Sequence, residues 1–89
     1  MIERKNIMDV KYEIKETVGT ISTNEKTNWA KELNLISWSG KDAKYDIRDW
    51  DPEHEKMGKG VTLTEDELKA LYDILSGMFK EDELVLDKQ

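Results

Sequence analysis

At 89 residues the chain forms one domain, since a domain this small buries only about 60% of the surface its unfolded chain exposes and cannot support two cores. It lacks cysteine, which excludes a disulfide framework, a thiolate nucleophile and a cysteine-type zinc site; its 37% hydrophobic and 38% charged residues, with three Trp, three Tyr and one Phe, exclude both wholesale disorder and a membrane span. The net charge of −6 speaks against nucleic acid, but residues 1–64 hold 11 basic and 12 acidic groups while residues 65–89 hold 3 and 8, so the front of the chain is free to present a locally basic face.

Residues 1–10 read as an N-terminal extension, with basic residues but neither the apolar run nor the small-residue cleavage pattern of a signal peptide, so the expected location is cytoplasmic. The domain proper spans 11–79, and 80–89 reads as a tail. Residues 11–18 alternate, with Tyr12, Ile14 and Val18 on one face and Lys11, Lys15 and Thr17 on the other, the period of a half-buried strand; Gly19 permits a bulge and Ile21 extends the strand. The polar segment 22–28, with Asn24 and Asn28, suits a hairpin turn. A second strand over 30–39 places Leu33, Leu35 and Ser37 on one face and Asn34, Ile36 and Trp38 on the other.

Ser39-Gly40-Lys41-Asp42 predicts a tight turn, and a third strand over 43–50 carries Ala43, Tyr45 and Ile47 opposite Lys44, Asp46, Arg48 and Trp50. Asp51-Pro52 ends pairing because proline donates no ladder hydrogen bond. A loop follows, and then a short fourth strand over 61–63. Thr64 with Glu67 three residues on is a capping box that opens a helix, with Glu65 and Asp66 at its positive dipole end and Gly77 as the left-handed residue just past its end. Leu68, Leu71, Tyr72 and Leu75 recur at helical spacing, and Ala70 and Ile74 widen the apolar arc to roughly 200°, when packing on one sheet needs little more than about 100°. The surplus predicts a second contact, with Leu68, Leu71, Ile74 and Leu75 at an interface between two copies of the chain.

Paired in antiparallel fashion, the second and third strands bring Trp38, Lys44, Arg48 and Trp50 to one face. Unpaired bases stack on aromatic rings at about 1–3 kcal/mol each while cations follow the phosphates, so this combination suits single-stranded nucleic acid. The competing reading makes both tryptophans core residues and the cations cross-strand partners of Asp46 and Asp49; the opposite face, with Leu33, Leu35, Tyr45 and Ile47, already supplies an apolar side for the helix. Lys56-Met57-Gly58-Lys59-Gly60 offers glycines that let backbone amides approach a phosphate, between lysines, but it matches no Walker pattern and reads more simply as a flexible loop. Asp49, Asp51, Glu53, His54 and Glu55 invite a metal or general-base role, but with one histidine and no calcium-loop spacing they read as a solvated turn; no catalytic residue, metal site or cofactor is expected.

The order Asp46-Ile47-Arg48-Asp49-Trp50, Asp51-Pro52, Lys59-Gly60-Val61-Thr62-Leu63 and the helix from Thr64 to Leu75 resembles the end of the transcriptional positive-cofactor-four family, especially its bacterial YdbC-type members. The resemblance covers residues 11–76. It implies an α+β fold of four curved antiparallel strands and a C-terminal helix (ββββα), dimerising through helix and sheet and binding single-stranded DNA with little sequence preference, without enzymatic activity. It also implies a stacking aromatic at Trp38, a strand arginine at Arg48, a turn lysine at Lys41 or Lys44, and loop lysines at Lys56 and Lys59. The expected partners are single-stranded DNA, RNA as a second ligand of like chemistry, a second copy of the chain, and proteins of transcription or replication, with no membrane. The alternative is a protein-interaction adaptor that uses the Trp-bearing face.

Overall fold

The computed structural model describes the backbone of residues 11–87 and the side chains of residues 11–80; the expected extension over 1–10 lies outside the described residues. Four strands, β1 (Tyr12–Thr23), β2 (Ala30–Trp38), β3 (Lys44–Trp50) and β4 (Met57–Leu63), form one open antiparallel sheet in the order of the chain, followed by a helix, α1 (Glu65–Asp87). The expected ββββα architecture is the one observed.

Local chemistry sets the turns. Between β1 and β2 the Asn24 carboxamide oxygen accepts hydrogen bonds from the Lys26 and Thr27 amides at 2.8 and 3.2 Å, and Asn28 takes φ +66°. Between β2 and β3, Ser39 and Gly40 both have positive φ and the Lys41 amide donates to the Trp38 carbonyl at 2.9 Å, the two-residue turn whose twist matches that of paired strands. After β3, the Asp51 carboxylate accepts from the Glu55 and Lys56 amides, each at 2.7 Å, and folds residues 51–56 back on themselves. At α1 the Thr64 amide donates to the Glu67 carboxylate and the Glu67 amide to the Thr64 hydroxyl, the reciprocal cap read from the sequence.

Two boundaries differ from expectation. β4 begins at Met57 rather than Val61, so most of the lysine-glycine segment is strand, with Trp50 opposite Met57 and Arg48 opposite Gly60. The helix passes through Gly77 and continues to Asp87, so the expected tail is helical over residues 80–87. A glycine inside a helix costs only about 1 kcal/mol relative to alanine, and the Met, Phe and Lys that follow Gly77 are compatible with continued helix.

β1 is bent by register shifts at Ile14/Glu16, Thr17/Gly19 and Thr20/Ser22. The consequence is a strongly curved sheet. Tyr12 pairs with Trp38 at one end of β2 and Trp50 pairs with Ala30 at the other, a separation of about 26 Å along a flat strand, yet the Tyr12 and Trp50 rings lie 5.4 Å apart. The concave face carries Tyr12, Ile14, Glu32, Asn34, Ile36, Trp38, Asp46, Arg48 and Trp50. The convex face carries Leu33, Leu35, Tyr45 and Ile47, over which α1 lays Leu68 and Leu71.

Candidate nucleic-acid interface

Strand periodicity puts Trp38, Lys44 and Arg48 on the concave face together, as the sequence indicated. Curvature decides what surrounds them. The Arg48 guanidinium reaches back along β3 and lies over the Trp38 ring, 4.8 Å from its centroid. Its Nε and Nη2 donate to the two Asp46 carboxylate oxygens at 2.7 and 2.8 Å, and its Nη1 approaches the Met57 sulfur and the Gly58 carbonyl. Asp46 is fully buried and accepts a third hydrogen bond, from the Thr62 hydroxyl at 3.1 Å. Such a fork-to-fork pair fixes the guanidinium plane and neutralises its charge. Gly60 makes room for it: a Cβ at that position would collide with the Arg48 Cβ and the Ile47 carbonyl.

Trp38 is half-buried, with its indole N–H edge turned inward. Trp50 differs. The expectation that Trp50 stands outward on an open face is corrected, since its side chain has 0% exposure. Its ring is covered by Tyr12 at 5.4 Å and by His54 at 5.4 Å. Both covers come from elements that curvature brings over the concave floor, the first turn of pairing in β1 and the loop 51–56.

That loop is clasped in place. The Tyr12 hydroxyl donates to the His54 carbonyl at 2.6 Å, and the His54 Nε2 sits 2.9 and 3.0 Å from the two Glu32 carboxylate oxygens. Glu32 also accepts from the buried Asn34 amide at 3.0 Å. Burial raises the Tyr12 phenol above its ordinary pKa, with the Asp51 and Glu55 carboxylates adding to the effect, so the hydroxyl stays a donor at neutral pH. Asp51 moves the other way: the Lys56 amide, and then those of Glu55 and other loop residues, hold its carboxyl below the usual value. The acidic cluster singled out in the sequence is thus divided among separate tasks, with Asp49 paired to Lys31 at 3.2 Å, Asp51 binding loop amides and His54 facing Glu32.

Lys41, Lys44, Lys56 and Lys59 are exposed and form no ion pair among the described residues. Lys41 lies in the turn just beyond Trp38, Lys44 at the start of β3, Lys56 at the end of the clasped loop and Lys59 in β4.

Sequence reasoning missed Tyr12, Glu32 and His54 as parts of this face. Tyr12 was assigned to the apolar side of its strand, although its antiparallel pairing with Trp38 sets it among the tryptophans; the available signal was that pairing, which depends on register. Trp29 lies elsewhere, half-buried beside an open cleft of about 450 Å³ with Ser22, Thr27, Lys31 and Asp49.

On the helix side, Leu68 and Leu71 are half-buried against Leu33 and Ile47, while Ile74 is 61% and Leu75 40% exposed. Ile21, Val61, Tyr72, Met78 and Phe79 are exposed as well.

Comparison with known proteins adds two findings. Residues 25–74 match the family described as Transcriptional Coactivator p15 (PC4). Over 70 residues the chain is 51% identical to an uncharacterized protein of Treponema pallidum (strain Nichols), covering 79% of this chain and 81% of that protein.

Proposed function

This chain belongs to the transcriptional coactivator p15 (PC4) family, a family of single-stranded-DNA-binding proteins, and from that premise we propose that it binds single-stranded DNA, and RNA through the same contacts, as a homodimer without enzymatic activity. The observation that carries the reading is Trp38, a half-buried indole beneath the Arg48 guanidinium of the Arg48–Asp46 pair, with Lys41, Lys44, Lys56 and Lys59 exposed and without an ion pair among the described residues. A base stacks on the open part of the Trp38 ring, and Lys41, Lys44, Lys56 and Lys59 follow the phosphates. Arg48, already satisfied by Asp46, acts on the strand through Trp38 by fixing the ring. Little sequence preference follows, because every base has a face to stack and none of these cations reads a base edge.

Dimerisation through Leu68, Leu71, Ile74 and Leu75 accounts for the exposed apolar surface of the helix. Two Trp38 platforms on one particle then let a single strand engage both, the second contact gaining from the effective concentration set by the first. The process served, in transcription, replication or repair, lies with the partners the strand brings.

A fluorescence titration with a thymidine oligomer tests the reading. Trp38→Ala should weaken binding about tenfold while leaving the subunit number and the circular dichroism spectrum unchanged. Equal affinity in the variant would remove Trp38 from the interface, and no binding by the natural chain would overturn the function itself.

A further inference from the structure

Trp38 and Trp50 stand at opposite ends of the concave face and do not pair directly with one another; Tyr12 lies between them. Its ring centroid is 5.8 Å from that of Trp38 and 5.4 Å from that of Trp50, tilted 47° and 50° to them. This is the spacing and tilt at which aromatic rings attract. The same ring seals Trp50, which sequence periodicity places on the face with the other contact residues.

Tyr12 is held at two points. Its hydroxyl donates to the His54 carbonyl at 2.6 Å, and next to it the Lys11 carbonyl accepts from the Ser39 amide at 2.8 Å, closing β1 against the turn beside Trp38. Tyr12 is also the first residue of an edge strand. Release of this end requires loss of few backbone hydrogen bonds, whereas release of β2 or β3 would dismantle the sheet. β1 lies wholly outside residues 25–74, the part of the chain that matches the family.

We infer that Tyr12 is a built-in occupant of a base-stacking position: its ring fills the space between Trp38 and Trp50 that a nucleobase takes when a single strand binds, so that β1 autoinhibits the concave face. The inference rests on the proposed function and adds to it a competitor carried by the chain. The ring of Tyr12 offers each indole what a base offers, a planar π surface, and its hydroxyl anchors the loop 51–56 over Trp50. A strand that displaces Tyr12 gains Trp50 as a second platform. A strand that cannot displace it has Trp38 alone.

Binding of a thymidine oligomer to the natural chain, Tyr12→Ser and Tyr12→Phe decides the matter. Tyr12→Ser, which removes the competing ring, should bind about tenfold more tightly than the natural chain, the worth of one freed stacking position. Tyr12→Phe keeps the ring and loses its tether, and should fall between the two. If the natural chain binds and Tyr12→Ser binds no more tightly, the inference fails while the proposed function stands. If the natural chain does not bind, the proposed function fails. Should Tyr12→Ser lose its folded circular dichroism signal, Tyr12→Phe carries the test, with tighter binding in support and equal or weaker binding overturning it.

Discussion

The two faces of this sheet are finished to different degrees. The concave face is crowded with polar residues yet closed: Asp46, Asn34, Ile36 and Trp50 are fully buried, Glu32 nearly so, and Arg48 and His54 answer the two carboxylates. The convex face is apolar yet open, with α1 laying Leu68 and Leu71 beside Leu33 and Ile47 and leaving Ile21, Val61, Ile74, Met78 and Phe79 in contact with solvent. Ordinary small domains invert this, placing apolar residues inside and charges outside. The difference teaches that curvature, rather than hydrophobicity, chose the interior of the monomer. Bending one sheet until its ends meet encloses whatever lies on the inner side, and here that side carries two paired charges and three aromatic rings. The apolar side is left over as a surface that needs a partner.

The comparison breaks most sharply at Asp46. Replacing it by alanine leaves the Arg48 guanidinium without its counter-ion at a position where the arginine side chain is 14% exposed, and removing one partner of a buried pair costs about 3–5 kcal/mol. Asp46→Ala should lower the urea midpoint accordingly at fixed protein concentration, and a loss under about 1 kcal/mol would mean that the concave charges add little to the fold. The convex face breaks next. Ile74→Glu puts a charge where the proposed interface buries an isoleucine, a loss of about 1.5–3 kcal/mol per subunit, counted twice in a symmetric dimer. Sedimentation should find monomers at concentrations where the natural chain is dimeric, with monomer stability little changed because Ile74 does not pack on its own sheet. An unaltered mass would place the interface elsewhere.

Much of this arrangement was legible in residue order because it is set locally. Alternation placed Trp38 with Ile36 and Asn34, and Arg48 with Asp46 and Lys44, on one face, and turn chemistry fixed the Ser39–Gly40 reversal. The Thr64–Glu67 cap marked the start of α1. What escaped was whether that face is open. Periodicity assigns a side chain to a side and says nothing of curvature, which here depends on three register shifts in β1 that no single residue announces apart from Gly19. Hence Trp50 was expected in solvent and is sealed, and His54, read as a turn residue, completes the seal. Gly77 misled for the opposite reason: glycine marks helix ends by a conformational preference that its neighbours overrule at small cost.

A smaller change sharpens the picture of how the concave face is fitted together. Gly60→Ala introduces a Cβ against the Arg48 Cβ and the Ile47 carbonyl, so either β4 moves outward or the guanidinium leaves Asp46. Crowding of this kind costs about 1–3 kcal/mol. Because Arg48 also orients Trp38, the variant should show a shifted tryptophan emission as well as a lower urea midpoint. Lost stability with unchanged emission would separate the packing role of Gly60 from the orientation of Trp38.

The least of these effects is the one carried by Asp51, and its pH dependence has a definite sign. The Lys56 amide, with that of Glu55 and others of the loop, stabilises the ionised carboxylate in the folded chain and holds its pKa below the ordinary 3.8. A group whose folded pKa is depressed stabilises the fold above its unfolded pKa and loses that contribution as pH falls through the folded value. Comparing the natural chain with Asp51→Asn cancels the other carboxylates, which titrate alike in both. The natural chain should have the higher urea midpoint at neutral pH, with a gap that stays constant down to about pH 4 and narrows in more acidic solution. A gap that persists unchanged into strong acid would show that the loop amides favour the oxygen atom rather than its charge. The clasp over Trp50 would then owe its shape to the bond from the Tyr12 hydroxyl to the His54 carbonyl and to the contact of His54 with Glu32.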